Sequence, residues 1–280
     1  MKTRLRALTA LVAFSFIAVT SVGTSSADAE PERAGELPDL RGHFAAFTRS
    51  GPDQDSIGNP DTVPGSLDIT AQAGPVLIGQ TNLAGHSTAG SGTLGPGESV
   101  NLQGIGADFD GPYVVEAQAH SIDTGPWDGG TRARILAGSY RVSLLSGGRQ
   151  EGDLVAVHQR PVLGAPSIGG SWMGMLGEPD ERLGRIEASI VQSESGALSG
   201  RLRAVLFTPE PDSLSFELTL AGQAAWDGTT SGYFLVGAGS GLLATMFVGI
   251  EDPGIKGQLR LLLTDGTAWE ATLRLEPALR

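Results

Sequence analysis

Residues 213–221 read Ser-Leu-Ser-Phe-Glu-Leu-Thr-Leu-Ala, a strict alternation of polar and large apolar side chains. Successive side chains of a strand point to opposite faces, so Leu214, Phe216 and Leu218 share one face and the polar residues share the other. A pairing shifted by one residue would turn the apolar face to water, so the register is strongly specified. The stretch predicts a β-strand with one face against a core.

The same pattern extends on both sides of this strand, from Gly170 to Glu276, with a Gly, Pro or Asp cluster about every eight to twelve residues. We predict strands near residues 171–176, 184–194, 198–208, 213–222, 229–237, 241–250, 256–264 and 267–275. About eight strands with short connections favour an up-and-down antiparallel barrel, with a β-sandwich as the alternative. The fold class is therefore all-β, and the nearly apolar range 242–250 predicts a strand covered on both sides or the edge of an interface.

The N-terminus has the composition of an export signal. A positive stretch with Lys2, Arg4 and Arg6 precedes an apolar stretch that ends near Val22, and a small-x-small cleavage site follows at residues 27–29. We predict a signal peptide over residues 1–29 and a bacterial protein that is secreted, periplasmic or attached to the cell surface. No later segment is apolar over the length of a membrane-spanning helix, so we expect no transmembrane segment after cleavage.

Composition divides the remaining chain into four segments. Residues 30–38 are rich in charge and Pro, which predicts a flexible tail. Pro and Gly interrupt residues 161–169, which predicts a linker between a first β-domain at 39–160 and a second, barrel-like β-domain at 170–280. The first domain is rich in Gly, and we expect long loops in it at residues 50–65 and 85–97.

The two predicted domains begin alike. The sequence Leu-Arg-Gly-His-Phe at residues 40–44 aligns with Ile-Gly-Gly-Ser-Trp at residues 168–172, and each places Gly two residues before an aromatic. This favours a tandem repeat, although chance similarity in a chain with 41 Gly is an equal alternative.

The charge and the absence of cysteine exclude several functions. The formal net charge of −12 opposes binding to nucleic acid, which requires clustered Lys and Arg. A chain without Cys forms no disulfide, thiolate metal site or thioether link to haem. We expect no cofactor, and the partner classes that stay open are a small molecule, a glycan or a protein, including further copies of the chain.

One motif resembles a known family. Gly170-Ser171-Trp172 in the first strand of the second domain is similar to the Gly-x-Trp with which calycin barrels, the lipocalin-like and avidin-like proteins, begin. The resemblance implies an eight-stranded barrel and an Arg of the last strand near that Trp, here Arg274. The alternation of that strand, however, places Arg274 on the face opposite Leu273 and Leu275, which predicts that Arg274 points outward.

Metal-binding candidates are incomplete. His43, His86, His120 and His158 all lie in the first domain, but two ligands four residues apart on one strand, such as Glu116 and His120, are separated by ~13 Å. The acidic residues 53–61 resemble a calcium loop only in part, because Ile57 and Pro64 stand where oxygen ligands are needed. We predict no metal site.

Catalytic candidates are incomplete as well. Ser87, in Gly-His-Ser-Thr-Ala at residues 85–89, lacks the helix that follows a serine-hydrolase nucleophile, because the residues after it read as a Gly-rich loop. Asp108 and Asp110 have the spacing of a glycosidase pair, ~6.6 Å on an extended chain, but any such strand has it. We therefore assign no catalytic residue.

Two of the four tryptophans are candidates for ligand contact. Trp127 and Trp226 each precede an Asp-Gly turn, where an indole ring stays partly exposed, whereas Trp172 and Trp269 fit a core. The leading hypothesis is an exported, non-enzymatic binding or surface-structural protein. The alternatives are a small-ligand carrier that uses the interior of the second barrel and a secreted hydrolase or isomerase.

Overall fold

A computed structural model of the chain describes residues 37–51, 62–122, 135–178, 181–207, 214–226, 231–263 and 267–278. Apart from one 3-10 turn at Pro96–Glu98, every regular element in these ranges is a β-strand. The predicted all-β class is confirmed. The described part of the chain has no helix with the length and apolarity that a membrane crossing requires.

The first eight strands form a closed antiparallel barrel in which each strand pairs with its neighbour in sequence and β8 returns to β1. Its strands are β1 (Gly42–Ser50), β2 (Thr62–Ala73), β3 (Val76–Leu83), β4 (His86–Leu94), β5 (Ser99–Asp108), β6 (Gly111–Ile122), β7 (Ile135–Leu144) and β8 (Arg149–Gln159).

The last eight strands form a second closed antiparallel barrel, so the predicted meander barrel is confirmed and the sandwich alternative is wrong. Its strands are β9 (Gly170–Glu178), β10 (Glu181–Gln192), β11 (Ala197–Leu206), β12 (Leu214–Trp226), β13 (Ser231–Gly239), β14 (Leu242–Glu251), β15 (Gly254–Leu262) and β16 (Ala268–Pro277). The face predicted to be buried on β12 is buried, with Phe216, Leu218 and Leu220 at most 3% exposed.

The long loop that the Gly-rich sequence predicts at residues 85–97 is wrong, because residues 86–94 form the strand β4. The inward positions of this strand include Gly90 and Gly92, so it lacks the apolar alternation that identifies a strand. A side chain at Gly90 would collide with the neighbouring strand, since an added Cβ would lie 2.0 Å from the carbonyl oxygen of Gln103. Glycine therefore allows the two backbones to approach closely here. Because these glycines take the place of apolar side chains, the sequence pattern does not indicate a strand.

A short segment before the first strand closes one end of each barrel. Leu40 is fully buried in the core of the first barrel, and Ile168 is 1% exposed in the core of the second. In each case one glutamine holds the segment. Gln72 accepts from the amide of Leu40 at 2.8 Å and donates to the carbonyl of Pro38 at 2.8 Å.

The second barrel repeats this contact with different residues. Gln192 accepts from the amide of Ile168 at 2.9 Å and donates to the carbonyl of Pro166 at 3.2 Å. The hydroxyl of Tyr233 also donates to Pro166, at 2.6 Å. The aligned segments that the sequence analysis identified thus occupy the same structural position in the two barrels.

The barrels contact each other through a third apolar cluster that belongs to their outer walls. The first barrel contributes Phe47, Ile135, Val155 and Val157, and the second contributes Ala225, Phe234, Val236, Ala238 and Leu243. The strand β14 is thus covered on both sides, since Ala244 faces the barrel core and Leu243 faces the first barrel. This is the arrangement that the apolar range 242–250 predicts.

Candidate functional site

An open groove of about 360 Å³ lies in the crease beside the contact between the barrels. Two convex walls that pack side by side leave such a crease where their surfaces curve apart. Its floor is the outer face of β14, β15 and β16, and Ile135 at the start of β7 borders it from the first barrel. The volume falls in the range of ~300–1,000 Å³ that is typical of small-ligand sites. Two other open surface depressions, one on each barrel, hold about 340 and 360 Å³, so the position beside the inter-barrel contact and not the volume distinguishes the groove.

Strand register places six outward side chains of this inter-barrel groove in two rows. Thr245, Arg260 and Glu270 occupy paired positions on the three strands and form the first row. Phe247, Gln258 and Thr272 form the second row, two residues later on β14 and β16 and two residues earlier on the antiparallel β15. Neighbouring strands lie ~4.8 Å apart, so hydroxyl, amide and charged groups follow one another across the groove at that spacing.

Phe247 supplies the aromatic part of the floor. It is half-buried, and its ring packs on Phe234 of the inter-barrel cluster with centroids 5.0 Å apart and an interplanar angle of 40°. The apolar wall between the barrels therefore continues into the groove. A ligand in the groove would meet one aromatic side chain beside polar groups.

The charges of the groove floor balance. Nε of Arg260 lies 3.4 Å from Oε1 of Glu270, with side chains 54% and 70% exposed. An ion pair as exposed as this adds little stability. Both groups therefore remain free to exchange partners with a ligand.

Among the described residues, the interior of neither barrel is as open to solvent as the groove. The second barrel is filled by a cluster that includes Leu218, Leu235, Val248 and Leu273, each fully buried. Ile168 closes one of its ends. In the first barrel a depression among inward and outward residues of β2 to β5 holds only about 20 Å³, less than a small organic ligand occupies.

Two histidines form cross-strand pairs with aspartates. Nδ1 of His43 lies 2.6 Å from Asp68, and Nδ1 of His86 lies 3.1 Å from Asp108. The His86 ring also packs edge-on against Tyr113, with centroids 4.7 Å apart. Among the residues that the structure describes, no three His, Cys, Asp or Glu side chains lie close enough to hold a metal ion.

His158 belongs to the core of the first barrel. It is 1% exposed and stacks on Phe44 with centroids 4.4 Å apart and an interplanar angle of 8°. Its Nε2 lies 3.1 Å from the carbonyl oxygen of Arg41. These contacts give it a structural role.

The residues considered for catalysis do not form a catalytic set. Ser87 and His86 are adjacent on β4, so their side chains point to opposite faces of the wall. Oδ1 of Asp108 accepts from the amide of Asp110 at 2.9 Å, which fixes a hairpin turn. No helix follows Ser87, because β4 continues to Leu94.

Of the two tryptophans predicted to contact a ligand, only Trp226 lies in the described part of the chain. Trp127 and the acidic loop 53–61 lie outside the described residues. Trp226 is half-buried at the end of β12, and an added Cβ at Gly164 would lie 4.0 Å from its indole nitrogen. The roles of Trp127 and Trp226 in ligand binding stay predictions. Trp172 and Trp269 pack against the core of the second barrel.

Two exposed carboxylates have lowered pKa values because of neighbouring arginines. Hydrogen bonds from Arg41 hold the pKa of Asp39 well below its usual range. A hydrogen bond from Arg149 lowers the pKa of Glu151. Both carboxylates therefore keep their negative charge in mild acid.

The solved structures that match this chain include one from a family of unknown function. A protein of unknown function from the DUF3598 family of Nostoc punctiforme is 11% identical, with 86% of this chain and 96% of that chain covered and a TM-score of 0.23. No family model matches the chain, and no curated protein matches it. The description of the fold thus rests on the strand pairing.

The calycin resemblance holds for architecture. Two closed eight-stranded antiparallel barrels agree with it, but the implied contact between Arg274 and Trp172 does not form. Arg274 pairs with Met175 in register, and its 67% exposed side chain lies 3.5 Å from Glu251. The alternation of β16 explains this, because Leu273 and Leu275 take the inward positions and are fully buried.

The groove residues have no distinguishing pattern in the sequence. Gln258, Arg260 and Thr272 are ordinary outward residues of alternating strands, and only the register across three strands brings them together. The one relevant signal is the apolar range 242–250, which predicts an interface and contains Phe247. Ligand sites occur preferentially at interfaces between domains.

Proposed function

We propose that the chain is an exported, non-enzymatic binding protein that holds a neutral, hydroxyl-rich ligand, such as a glycan, in the inter-barrel groove. The observation that carries this proposal is the pair of rows on β14–β16, which combines an aromatic ring, an amide, two hydroxyls and a balanced ion pair. Export rests on the N-terminal sequence, which has the composition of a signal peptide.

The chemistry of the rows suits a sugar. Arg260 and Gln258 donate paired N–H groups, Glu270 accepts, and the threonine hydroxyls do both. Phe247 offers an apolar ring face for the C–H groups of a pyranose. The balanced charges of Arg260 and Glu270 favour a ligand without net charge, in contrast to the acidic chain as a whole.

The filled interior argues against a carrier that holds its ligand inside the second barrel. Such a ligand would have to displace large side chains such as Leu218 and Leu235, which are fully buried. The packing of one buried leucine is worth about 2–5 kcal/mol in Leu→Ala substitutions, which gives the scale of the packing that such a ligand would have to replace. A site on the outer wall has no such cost.

The acids in the groove support binding without cleavage. Glu270 is the one carboxylate among the described residues that line the groove. Hydrolysis of a glycosidic bond ordinarily requires two carboxyl groups on opposite sides of the bond. A glycan bound in the groove would therefore dissociate without being cleaved.

A titration of mature protein with neutral oligosaccharides tests the proposal. We expect amide resonances of Phe247, Gln258 and Thr272 to shift, and Gln258→Ala to weaken binding about 2- to 10-fold, as the loss of one or more neutral hydrogen bonds predicts. Lys256→Ala is the control, because Lys256 is the next exposed outward residue of β15 and does not line the groove. Shifts confined to other surfaces would contradict the groove assignment.

The export proposal has its own measurement. The intact mass of protein recovered from culture medium or periplasm should correspond to a chain that starts at Glu30. A full-length chain in the cytoplasmic fraction would overturn this part of the proposal and leave the groove untouched.

A secreted hydrolase or isomerase is the second candidate, and the pair of His86 and Asp108 is the observation that favours it. A carboxylate on Nδ1 orients an imidazole so that Nε2 is free to act as a base. A panel of ester, amide and glycoside substrates tests it. Turnover that disappears in His86→Gln would support the enzyme, and absence of turnover would remove it.

A further inference from the structure

The outer face of β3, β4 and β5 carries no charge. Its outward side chains are Val76, Ile78, Gln80, Asn82, Ser87, Ala89, Ser91, Thr93, Asn101, Gln103, Ile105 and Ala107, and all are exposed. On the neighbouring strands the same face carries charge again, with Asp68 paired to His43 and Glu116 paired to Arg141. We call these twelve residues the uncharged face.

Register makes this face one continuous array. Ile78, Ser91 and Gln103 occupy paired positions across the three strands, and Ser91 lies near the centre. Three exposed aliphatic side chains lie within the array, with Val76 45%, Ile78 53% and Ile105 71% exposed. Polar amides and hydroxyls surround these aliphatic groups, as at the surface of a weak protein interface.

We infer that the uncharged face is a self-association surface, and that its partner is the same face of a second copy of this chain. The net charge of −12 makes copies of the chain repel one another. Contact through a charged wall would remove ion pairs such as Glu116–Arg141 from water, which is costly. Contact through the uncharged face avoids that cost and removes Ile78 and Ile105 from water.

The size of the face sets the strength of the association. Three strands at ~4.8 Å and four outward residues at ~6.6 Å cover roughly 380 Å² on each copy. Stable interfaces bury about 800 Å² on each partner, so this face supports a weak, reversible dimer. A twofold axis near Ser91 lets the same residues meet from both sides.

Sedimentation over a wide concentration range, with the mature chain, tests the inference. We expect reversible dimerisation, and Ser91→Asp should raise the dissociation constant at least about tenfold, because the symmetry places two new carboxylates opposite each other. Ser199→Asp is the matched control on β11 of the second barrel, since Ser199 is also an exposed outward serine, and it should leave the constant unchanged.

Salt provides a second readout. Added salt should strengthen the dimer, because it screens the repulsion between the acidic copies. The contact itself contains no ion pair that salt could weaken. A dimer that weakens in salt, or one that Ser91→Asp leaves intact, would overturn the inference. A chain that stays monomeric at every concentration would overturn it too, and oligosaccharide-induced shifts at Ser91 and Gln103 would then identify the face as a glycan surface. The groove titration concerns the other barrel, so failure of one proposal is distinguishable from failure of the other.

Discussion

Nη1 of Arg49 donates a hydrogen bond of 2.7 Å to the carbonyl oxygen of Leu262, which lies 213 residues further along the chain. The same nitrogen donates to the carbonyl of Gly241 at 3.2 Å, and the guanidinium pairs with Asp153 on β8. The side chain of Arg49 is 3% exposed. One arginine of the first barrel thus satisfies two carbonyl groups of the second.

The first prediction concerns this contact. Arg49→Met should lower the free energy of unfolding by about 2–4 kcal/mol, because it leaves carbonyl groups of the second barrel unpaired at the interface. Urea denaturation of the full chain measures the loss. Arg149→Met is the control, since Arg149 is 53% exposed and should change stability by less than about 1 kcal/mol. Equal effects of the two substitutions would show that the inter-barrel contact adds no stability.

The second prediction concerns the two glutamine contacts that close the barrels. Gln72→Ala removes both hydrogen bonds to the segment before β1, so the amide of Leu40 should exchange with solvent more than tenfold faster, as a loss of about 1.5 kcal/mol or more predicts. Hydrogen exchange followed by mass spectrometry or NMR measures this.

Gln192→Ala serves as the reciprocal variant. It should accelerate exchange at Ile168 and leave Leu40 unchanged, because the hydrogen bonds of each glutamine stay within its own barrel. Acceleration at both ends in either single variant would contradict independent closure of the barrels.

The architecture of the second barrel was predictable because its strands alternate large apolar and polar residues. Leu218 and Leu273 each lie on a face that the pattern marks as buried, and each is fully buried. In β4 the interior instead needs Gly90 and Gly92 for close backbone approach, so no apolar period exists there to be recognised. The alternation of apolar and polar residues indicates which side chains are buried. It gives no signal where backbone packs against backbone.

The candidate site was beyond sequence reasoning for a different reason. Arg260 and Glu270 are paired only by the register between β15 and β16, and the ladder of β14 with β15 adds Thr245. Each strand by itself shows an outward polar residue with no distinguishing neighbour. The site depends on pairing across strands and on the position of the first barrel, and neither is encoded in a local pattern.

The third prediction compares two equivalent glycines. Gly42 and Gly170 open the first strands of the two barrels with φ of +136° and +145°, a region that other residues rarely adopt. At Gly42 an added Cβ would also lie 2.5 Å from Nε2 of the buried His158, whereas at Gly170 the nearest heavy atom is 3.9 Å away, on Trp172.

Gly170→Ala should therefore cost only backbone strain, about 1–3 kcal/mol, and Gly42→Ala should cost more than that. Thermal or urea unfolding of the two variants side by side gives the comparison. The cost of Gly42→Ala should fall when it is measured in the His158→Ala background, relative to His158→Ala itself, because the collision is then removed. An unchanged cost in that background would assign the cost to the backbone alone.

The fourth prediction concerns alkaline pH. Burial raises the pKa of Tyr140 to about 12, against the opposing effect of a hydrogen bond from Gln150. The unfolded phenol has a pKa of ~10, so between these values the folded chain binds the proton more tightly than the unfolded chain does. The stability linked to Tyr140 is therefore fully present below pH ~10 and is lost as the pH rises to about 12. Unfolding free energies across that window should fall less steeply in Tyr140→Phe than in the unaltered chain, and phenolate absorbance should lose one late titration step. Parallel pH profiles for the two proteins would contradict a raised pKa at this position.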